Sequence, residues 1–364
     1  MDTKICMFGL GVQFHDCYEQ LCLAIGRSPD FLCDNSQDKW GKEFFGKECI
    51  SPSQLADFNK KISVIITVRK YEAIYKQLVN LGLNDISIAC FDRCYDYVSD
   101  IKKLNDDHFV ISDKTPKHDV TDKWTFVTGA SRGIGRQIAL EMAKMGSNII
   151  AHSRKLEHTT EVRDLCAGMG VDVRQIAADL GDPQEVEEML DGLVSTFPEI
   201  DIVFNNAAIS LPCGADPWNI TAEDYMRHYV INTIAPIRIC YRLIPLMIKR
   251  GFGRVVNVSS TIQKRPGEMA YACSKEALSK FVHDMTPSLE GTGVMMSLVC
   301  PGHVRSDMGG DSAPHPVESV VPGVLLGAMM EIDVNGRWFI AQDYSDLSLD
   351  AAINRAEFLL LRRR

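Results

Sequence analysis

The sequence lacks three features that would each mark a particular class of protein. None of its 12 cysteines forms a CxxC pair, the spacing typical of zinc-binding loops. Acidic residues outnumber basic ones by 48 to 39, so the net charge offers no attraction to nucleic acid or to an anionic membrane surface. No run of 18 uncharged apolar residues exists that would span a bilayer. We therefore expect reduced thiols, no metal centre and no nucleic-acid or membrane partner, in a cytoplasmic protein that acts on small molecules.

The length of 364 residues exceeds the size at which one hydrophobic core usually stops growing. With 46% hydrophobic and 24% charged residues, the chain has the composition of a globular protein. The polar stretch SDKTPKHDVTDK contains a proline and shows no apolar periodicity, which is typical of a linker. We therefore predict an N-terminal domain over residues 1–111, a linker over 112–122 and a larger domain over 123–364.

Apolar strands and amphipathic helices alternate along both predicted domains, a pattern that indicates parallel β-sheets. The larger domain has seven such strands and is predicted to be α/β, with a Rossmann-type doubly wound parallel sheet. These strands read WTFVTG, SNIIAHS, VDVRQIAAD, IDIVFNNAA, RVVNVSS, VMMSLVCPG and GRWFIAQ. The N-terminal domain is predicted to be a smaller Rossmann-like α/β unit, with the stretch WGKEFFGKE as a loop. Its strands read KICMFGLG, DFLCDN and KISVIITV.

The segment TGASRGIG follows the first strand of the larger domain and opens a helix. Gly129 permits a tight turn, Gly133 lets a pyrophosphate approach the backbone, and Gly135 allows the helix to pack closely on the strand. The helix N-terminus adds N–H groups and the positive end of the helix dipole. Glycines also occur in such turns for backbone reasons alone, so the loop by itself indicates a dinucleotide site without proving one.

The second strand of the larger domain ends in IIAHSR, without the acidic residue that would bind the ribose hydroxyl of NAD. Ser153 and Arg154 stand there instead, and Arg132 lies in the glycine loop. Together they would surround a 2′-phosphate with hydrogen-bond donors and positive charge, whereas each arginine alone is more simply a solvated surface residue. We therefore predict NADP rather than NAD as the cofactor.

The run AYACSKEAL places Tyr271 four residues before Lys275 in a predicted helix. This spacing puts both side chains on one helical face, one turn apart. Such a pair can carry proton chemistry, or it can be an exposed pair without any role. The motifs elsewhere in the chain favour the first interpretation.

Six motifs, taken in their order and spacing, resemble those of the short-chain dehydrogenase/reductase family over about residues 123–350. They are TGASRGIG, NNAA at 205–208, Asn232 in a long helix predicted over residues 225–249, VNVSS ending at Ser260, YACSK, and CPGHVRSDM. The resemblance implies an NADP(H)-dependent oxidoreductase that interconverts a carbonyl and an alcohol by hydride transfer. It also implies a homodimer or homotetramer, paired through the helices that contain Asn232 and Tyr271.

The resemblance assigns catalysis to Asn232, Ser260, Tyr271 and Lys275. Tyr271 would exchange a proton with the substrate oxygen, and Ser260 would hydrogen-bond that oxygen. Lys275 would bind the nicotinamide ribose, and Asn232 would hold a water molecule that links Lys275 to solvent. Because a neighbouring ammonium favours the phenolate, we expect Lys275 to lower the pKa of Tyr271 from its ordinary value of about 10.

Further positions of the resemblance surround the cofactor. They are Gly129, Ser131, Arg132, Gly133, Ile134, Gly135, Ser153, Arg154, Asp179, Leu180, Asn206, Ala207, Ala208, Pro301, Gly302, Val304 and Ser306, together with Tyr271 and Lys275. Three features depart from the family pattern: Ala208 replaces a glycine, Ser306 replaces a threonine, and the segment between Ser260 and Tyr271 is shorter than is common. The short segment leaves Ser259 as an alternative to Ser260.

The N-terminal domain carries an incomplete dinucleotide turn, FGLGVQF, in which Phe14 or His15 stands where the third glycine belongs. We therefore expect a Rossmann-like unit without catalysis. The segment FLCDNSQDKWGKEFFGKECISPSQL resembles small domains attached to enzymes of bacterial surface-glycan and nucleotide-sugar metabolism, which implies a sugar-related substrate. Two alternatives stay open: a 3-oxoacyl or simple carbonyl reductase whose first domain serves in assembly, and an NADPH-binding scaffold or sensor without turnover.

Overall fold

The structure, a computed structural model, describes residues 3–58, 61–92, 97–105, 117–197, 199–211, 216–262 and 265–360. It divides into two compact units, one of residues 1–111 with 358–364 and one of residues 112–357. The predicted linker falls within the second unit, and its residues 112–116 lie outside the described ranges. The end of the chain groups with the first unit, whereas we predicted that the larger domain extends to residue 364.

The first unit is an α/β fold, as predicted. Its strands are β1 (Lys4–Phe8), β2 (Phe31–Cys33), β3 (Glu43–Phe44), β4 (Lys47–Ile50), β5 (Ile62–Ile66), β6 (Ile86–Asp92) and β7 (Tyr97–Lys103), and its helices are α1 (Val12–Ile25) and α2 (Glu72–Asn80). The sheet order is β3-β4-β2-β1-β5-β6-β7. Strands β4, β2, β1, β5 and β6 run parallel, and the two outer strands, β3 and β7, pair antiparallel.

Three parts of this unit differ from the sequence prediction. The stretch WGKEFFGKE forms the β3–β4 hairpin rather than a loop, and Phe45 and Gly46 at its tip have φ angles of +52° and +69°. The Phe45 ring stacks on Tyr18 of α1 at 4.1 Å between ring centroids, which holds this strained turn in place. Strands β6 and β7 were not predicted. Phe358 packs on the core of this unit, which explains why the chain end belongs to it.

The second unit contains the predicted doubly wound sheet, and its seven strands all run parallel. They are β8 (Trp124–Val127), β9 (Asn148–Ser153), β10 (Val173–Ala177), β11 (Ile202–Asn205), β12 (Gly253–Val258), β13 (Val294–Cys300) and β14 (Trp338–Ile340). The sheet order is β10-β9-β8-β11-β12-β13-β14, so the strand order reverses between β8 and β11. The C-terminal ends of the strands beside such a reversal form the ligand crevice of this fold.

Helices cover the sheet of the second unit. They are α3 (Gly133–Lys144), α4 (Thr160–Ala167), α5 (Pro183–Thr196), α6 (Ala222–Tyr229), α7 (Ala235–Arg250), α8 (Met269–Leu289), α9 (Leu326–Met329) and α10 (Leu349–Leu360), whose last residues belong to the first unit. Local signals set several of their ends. Asp182 caps α5, Thr221 and Asp224 form a capping box at α6, and Gly251 ends α7 with a φ of +73°.

The long helix predicted over residues 225–249 is interrupted once. A π-helical turn, Val230–Ile234, separates α6 from α7, and such turns often occur at functional sites. Among the described helices, the continuous stretch Ala222–Arg250 alone has the length and apolar composition of a membrane span. Half of its most apolar 18-residue segment is buried inside the protein. The core helices of globular proteins can have the same length and composition. Ile239 and Leu243 of α7 belong to the core of the second unit.

Candidate active site

The glycine loop between β8 and α3 has the geometry that a dinucleotide phosphate requires. Gly129 and Gly133 have φ angles of +66° and +58°, in the left-handed region that favours glycine. A Cβ atom on Gly135 would lie 2.2 Å from the Gly129 carbonyl oxygen, so this position admits no side chain. Helix α3 begins at Gly133 without a capping hydrogen bond from a side chain, which leaves its first turn suited to an anion. These residues fit the predicted cofactor.

Thr128, the first residue of the segment TGASRGIG, joins the glycine loop to the neighbouring strand end, a role that we did not predict for it. Its Oγ1 atom accepts hydrogen bonds from the backbone N–H groups of Asn206 and Ala207 at 2.9 and 3.0 Å. The Asn206 side chain returns a hydrogen bond to the Thr128 carbonyl oxygen at 2.9 Å. The ends of β8 and β11 are thereby joined at the ligand crevice.

His152 in β9 supports the loop from the other side. Its Nδ1 atom accepts a hydrogen bond from the Gly129 N–H at 3.3 Å, and its Nε2 atom donates to the Ala178 carbonyl oxygen at 3.1 Å. Burial lowers the pKa of His152 to about 4, so the ring is neutral at pH 7 and keeps this pattern. From the sequence, a histidine within an apolar strand cannot be told from an ordinary core residue.

The three residues predicted to bind the 2′-phosphate differ in their surroundings. Arg154 is exposed and makes no ion pair with any residue in the described ranges. Arg132 pairs with Asp307, with 3.0 Å between Nε and Oδ2. Ser153 is buried, and its hydroxyl donates to the Lys155 carbonyl oxygen at 2.6 Å. Arg154 therefore supplies the unpaired positive charge at the end of β9.

The other predicted cofactor residues follow the C-terminal ends of parallel strands, which share one edge of the sheet. Ser131 and Ile134 are half-buried in the glycine loop and the first turn of α3. Asp179 is exposed after β10, while Leu180 is buried in the core. After β11 come Asn206, Ala207 and Ala208, and after β13 come Pro301, Gly302, Val304 and Ser306. The sequence assignments are thus compatible with one continuous crevice.

The structure places Ser260 rather than Ser259 beside Tyr271. The Ser260 hydroxyl lies near enough to the Tyr271 phenol to lower the pKa of that phenol. Ser259 points into the protein, where its Oγ atom donates to the Lys275 carbonyl oxygen at 3.3 Å and lies 3.0 Å from Ser279 Oγ. Consecutive residues of an extended chain face opposite sides, which separates the two serines. Ser260 is therefore the serine available to a substrate oxygen.

The prediction that Lys275 makes Tyr271 acidic is wrong in this structure. Tyr271 is 7% exposed, and burial raises the pKa of its phenol to about 12 because the phenolate would lose its water. The nearby Ser260 hydroxyl lowers that pKa, but its effect is smaller than that of burial. Lys275 directs its Nζ atom to the Val258 carbonyl oxygen at 2.8 Å. Tyr271 is thus a protonated phenol at neutral pH, which suits it to give a proton to a substrate oxygen.

Burial also acts on Lys275, whose pKa it lowers from 10.5 to about 8. We expect Lys275→Met to stabilise the unliganded protein at pH 7 by roughly 1–2 kcal/mol. Keeping the ammonium buried costs on the order of 3 kcal/mol, and the lost hydrogen bond to Val258 offsets about 1 kcal/mol of the gain. Thermal unfolding of both proteins at pH 7 measures the difference.

The stability gain of Lys275→Met should shrink as the pH rises. Below pH 8 both the folded and the unfolded wild type carry the proton of Lys275, and the full penalty applies. Above about pH 8 the folded protein releases this proton while the unfolded chain keeps it up to about 10.5, so the stability of the wild type rises with pH in that window. A variant less stable than the wild type at pH 7 would contradict this account.

Asn232 lies in the π-helical turn and is fully buried. Its Oδ1 atom accepts the Ile209 N–H at 2.8 Å, and its Nδ2 atom donates to the Ile209 carbonyl oxygen at 2.9 Å and to Ser274 Oγ at 3.0 Å. The side chain is therefore committed to protein groups. The water relay assigned to Asn232 stays a prediction, and it would depend on backbone groups of this turn.

The loop after β13 is held by a glutamine that no sequence motif singles out. Gln342 Nε2 donates to the Pro301 carbonyl oxygen and to Ser319 Oγ, both at 2.9 Å. Gly302 has a φ of +77°, and a Cβ atom there would lie 2.7 Å from Gln342 Cγ. Gln342 thus fixes the loop that is predicted to face the nicotinamide.

The glycine turn of the first unit is closed by its own side chains. Asp34 accepts hydrogen bonds from the Leu10 N–H at 2.6 Å and from Lys39 Nζ at 2.9 Å. Lys39 also donates to the Leu10 carbonyl oxygen at 3.0 Å. Phe14 is buried in the core, where close helix packing would require a small residue. The carboxylate of Asp34, which follows β2, is therefore occupied and is not free to bind a ribose hydroxyl.

The known proteins that resemble this chain include oxidoreductases of the short-chain dehydrogenase type. Residues 123–316 match the model of the short chain dehydrogenase family. A short-chain type dehydrogenase/reductase of Picea abies is 30% identical over 191 residues, which cover 50% of this chain and 70% of the relative. The 3-oxoacyl-[acyl-carrier-protein] reductase FabG of Escherichia coli is 27% identical over 231 residues, covering 61% and 90%. The crystal structure of the landomycin C-6 ketoreductase LanV with bound NADP and rabelomycin is 26% identical, with a TM-score of 0.54 and coverage of 62% and 96%.

Proposed function

Because the chain belongs to the short-chain dehydrogenase family, we propose that it interconverts a carbonyl and an alcohol of a sugar or nucleotide-sugar compound in surface-glycan biosynthesis, with NADP(H) as cofactor. The carbonyl–alcohol chemistry and the use of NADP follow from the family and from NADP-bound relatives such as LanV. The proposal rests above all on the Ser260 hydroxyl beside the Tyr271 phenol, because this places a second hydroxyl next to a proton donor. The sugar-related substrate is supported by the sequence resemblance of the first unit.

Some residues of the chain would bind the cofactor, and others would transfer protons. The glycine loop and the N-terminus of α3 would hold the pyrophosphate of NADP(H), which supplies the hydride when bound. Tyr271 gives its proton to the oxygen of the reduced carbonyl, and Ser260 donates a hydrogen bond to that oxygen as negative charge develops. Lys275, with its pKa near 8, can exchange a proton at neutral pH. This makes it suited to restore the proton of Tyr271.

Arg154→Ser is expected to raise the KM for NADPH by roughly 10- to 100-fold and to leave the KM for NADH nearly unchanged. The reason is the loss of one charge-assisted hydrogen bond to the 2′-phosphate, a group that NADH lacks. Arg132→Ser should have a smaller effect, because Arg132 already pairs with Asp307. Arg238→Ser is the matched control, since Arg238 of α7 pairs at the surface with Glu187 of α5. Equal losses for NADPH and NADH would contradict the assignment.

Substrate panels decide between the candidate functions. NADPH oxidation is measured with keto sugars and nucleotide-linked keto sugars, and separately with 3-oxoacyl thioesters. The second candidate, a 3-oxoacyl reductase, is favoured by the similarity to FabG of Escherichia coli. Turnover confined to the acyl thioesters would overturn the sugar proposal. Tight NADPH binding without turnover on either panel would favour the scaffold or sensor.

We further propose that the protein forms a homodimer or homotetramer in the cytoplasm. Pairing through α7 is supported by three exposed apolar residues that are spaced seven residues apart and share one helical face. They are Ile234, Tyr241 and Ile248, which are 45%, 53% and 38% exposed. The first belongs to the π-helical turn before α7, and the other two belong to α7. The ten cysteines in the described ranges form no disulfide there, which supports a reducing compartment. Sedimentation velocity measures the oligomeric state directly.

A further inference from the structure

His228, near the end of α6, is a buried histidine for which the sequence suggests no role. It has no exposed surface, and both nitrogen atoms of its ring are hydrogen-bonded. Nδ1 lies 2.7 Å from the Asp224 carbonyl oxygen, and Nε2 accepts the Leu211 N–H at 3.0 Å. A backbone N–H can only donate, so the ring proton must be on Nδ1 and the ring is neutral. His228 therefore joins α6 to the loop that leaves β11.

Asn232 lies four residues further along the same helical stretch and is hydrogen-bonded to the same loop. It bonds both backbone groups of Ile209, while His228 bonds the N–H of Leu211. Two fully buried side chains thus hold alternate residues of one short segment. This segment directly follows Ala207 and Ala208, at the C-terminal end of β11 where the ligand crevice lies.

The ring of His228 also contacts the catalytic tyrosine. The centroids of the His228 and Tyr271 rings are 6.5 Å apart, with an interplanar angle of 70°, an edge-to-face arrangement. One side chain therefore contacts Tyr271 and also holds the loop that follows β11. A shift of this loop would change the distance between a bound substrate and the phenol, and reaction rates depend steeply on such distances.

We propose that His228 is a positioning residue that holds the loop Ile209–Leu211 as a wall of the substrate pocket beside Tyr271. This role rests on the proposed function, since it requires a substrate in that pocket. The bond that matters is the one from the Leu211 N–H to Nε2. The bond from Nδ1 to Asp224 stays within the helix and only orients the ring.

Two amide substitutions separate these bonds. In His228→Asn the side-chain amide reaches about as far as Nδ1, so the bond to Asp224 can persist while the bond to Leu211 is lost. In His228→Gln the amide reaches the position of Nε2, where its oxygen can accept the Leu211 N–H. The two variants have the same functional group and differ by one methylene, so each serves as the control for the other.

Hydrogen–deuterium exchange of the Leu211 amide tests the proposal without any substrate. We expect about tenfold faster exchange in His228→Asn, corresponding to the loss of one hydrogen bond, and a change below about threefold in His228→Gln. Fluorescence titration with NADPH should give an unchanged Kd for both variants, because the glycine loop is held by Thr128 and His152. Equal exchange rates in the two variants would overturn the proposal.

The kinetic readout uses the carbonyl compound that the substrate panels identify. His228→Asn should lower kcat/KM for this compound about tenfold with the KM for NADPH unchanged, and His228→Gln should restore most of it. Loss of NADPH binding in either variant would show a structural role and would also overturn the proposal. If no carbonyl compound is turned over, the proposed function fails, whereas the exchange rates still report whether His228 holds the loop.

Discussion

Replacing Tyr271 by phenylalanine is expected to lower turnover of the carbonyl substrate by roughly 10²- to 10⁴-fold, the range typical for loss of a general acid. The substitution removes the proton donor and keeps the ring, so the edge-to-face contact with His228 at 6.5 Å remains. NADPH binding should therefore stay close to that of the wild type. Steady-state rates and fluorescence titration with NADPH measure the two effects separately.

Tyr241→Phe is the matched control for this substitution. Tyr241 lies on the proposed pairing face of α7 and is 53% exposed in the single chain; removing only its hydroxyl keeps the ring that would pack there, so turnover and NADPH binding should be unchanged. Full activity of Tyr271→Phe on the true substrate would show that another group donates the proton. The assignment of Tyr271 would then be wrong, even though the fold and the cofactor site would be unaffected.

Gly135→Ala should weaken NADPH binding by at least about 100-fold or prevent the second unit from folding. The added Cβ atom would lie 2.2 Å from the Gly129 carbonyl oxygen and 2.5 Å from Asn206 Nδ2. Neither neighbour is the free end of a flexible side chain, because Asn206 is hydrogen-bonded to Thr128. The glycine loop must therefore move, and overpacking of this kind typically costs 1–3 kcal/mol or more. NADPH titration and thermal unfolding distinguish the two outcomes.

Gly192→Ala provides the comparison. Gly192 lies inside α5, and apart from its chain neighbours and the backbone of its own helix no atom lies within 4 Å of the position that its Cβ would take. Alanine has the higher helix propensity, so this variant should be more stable than the wild type by about 0.5–1 kcal/mol and should bind NADPH normally. If Gly135→Ala also bound NADPH normally, the close packing of α3 on β8 would not be needed for the site.

The sequence allowed the glycine loop to be predicted in detail, because each glycine has its own steric reason. Gly129 and Gly133 have the positive φ angles that such a turn needs, and Gly135 has no room for a Cβ atom. The order of the strands and motifs likewise predicted the doubly wound sheet. Both follow from spacing and residue type, which a sequence states directly.

The depth of burial around a side chain was not predictable in the same way. Helical spacing placed Tyr271 and Lys275 on one face, but it could not tell that both are buried. Burial reverses the expected effect on the pKa of Tyr271. The roles of His152 and Gln342 escaped prediction for a related reason. Each depends on a backbone group that is distant in the chain, at Gly129 and Pro301 respectively.

The bond between Gln342 and Pro301 has a consequence for protein synthesis. The two residues are 41 positions apart, and Gln342 follows β14, the edge strand that joins the sheet last in chain order. When the growing chain has left the ribosome as far as Cys300, it already contains Tyr271 and Lys275. Gln342, which bonds the loop beginning at Pro301, has not yet been synthesised. Domains fold as units during translation. A messenger RNA truncated before the Gln342 codon would therefore yield a chain that contains Tyr271 and Lys275 but lacks the side chain that holds the loop after β13.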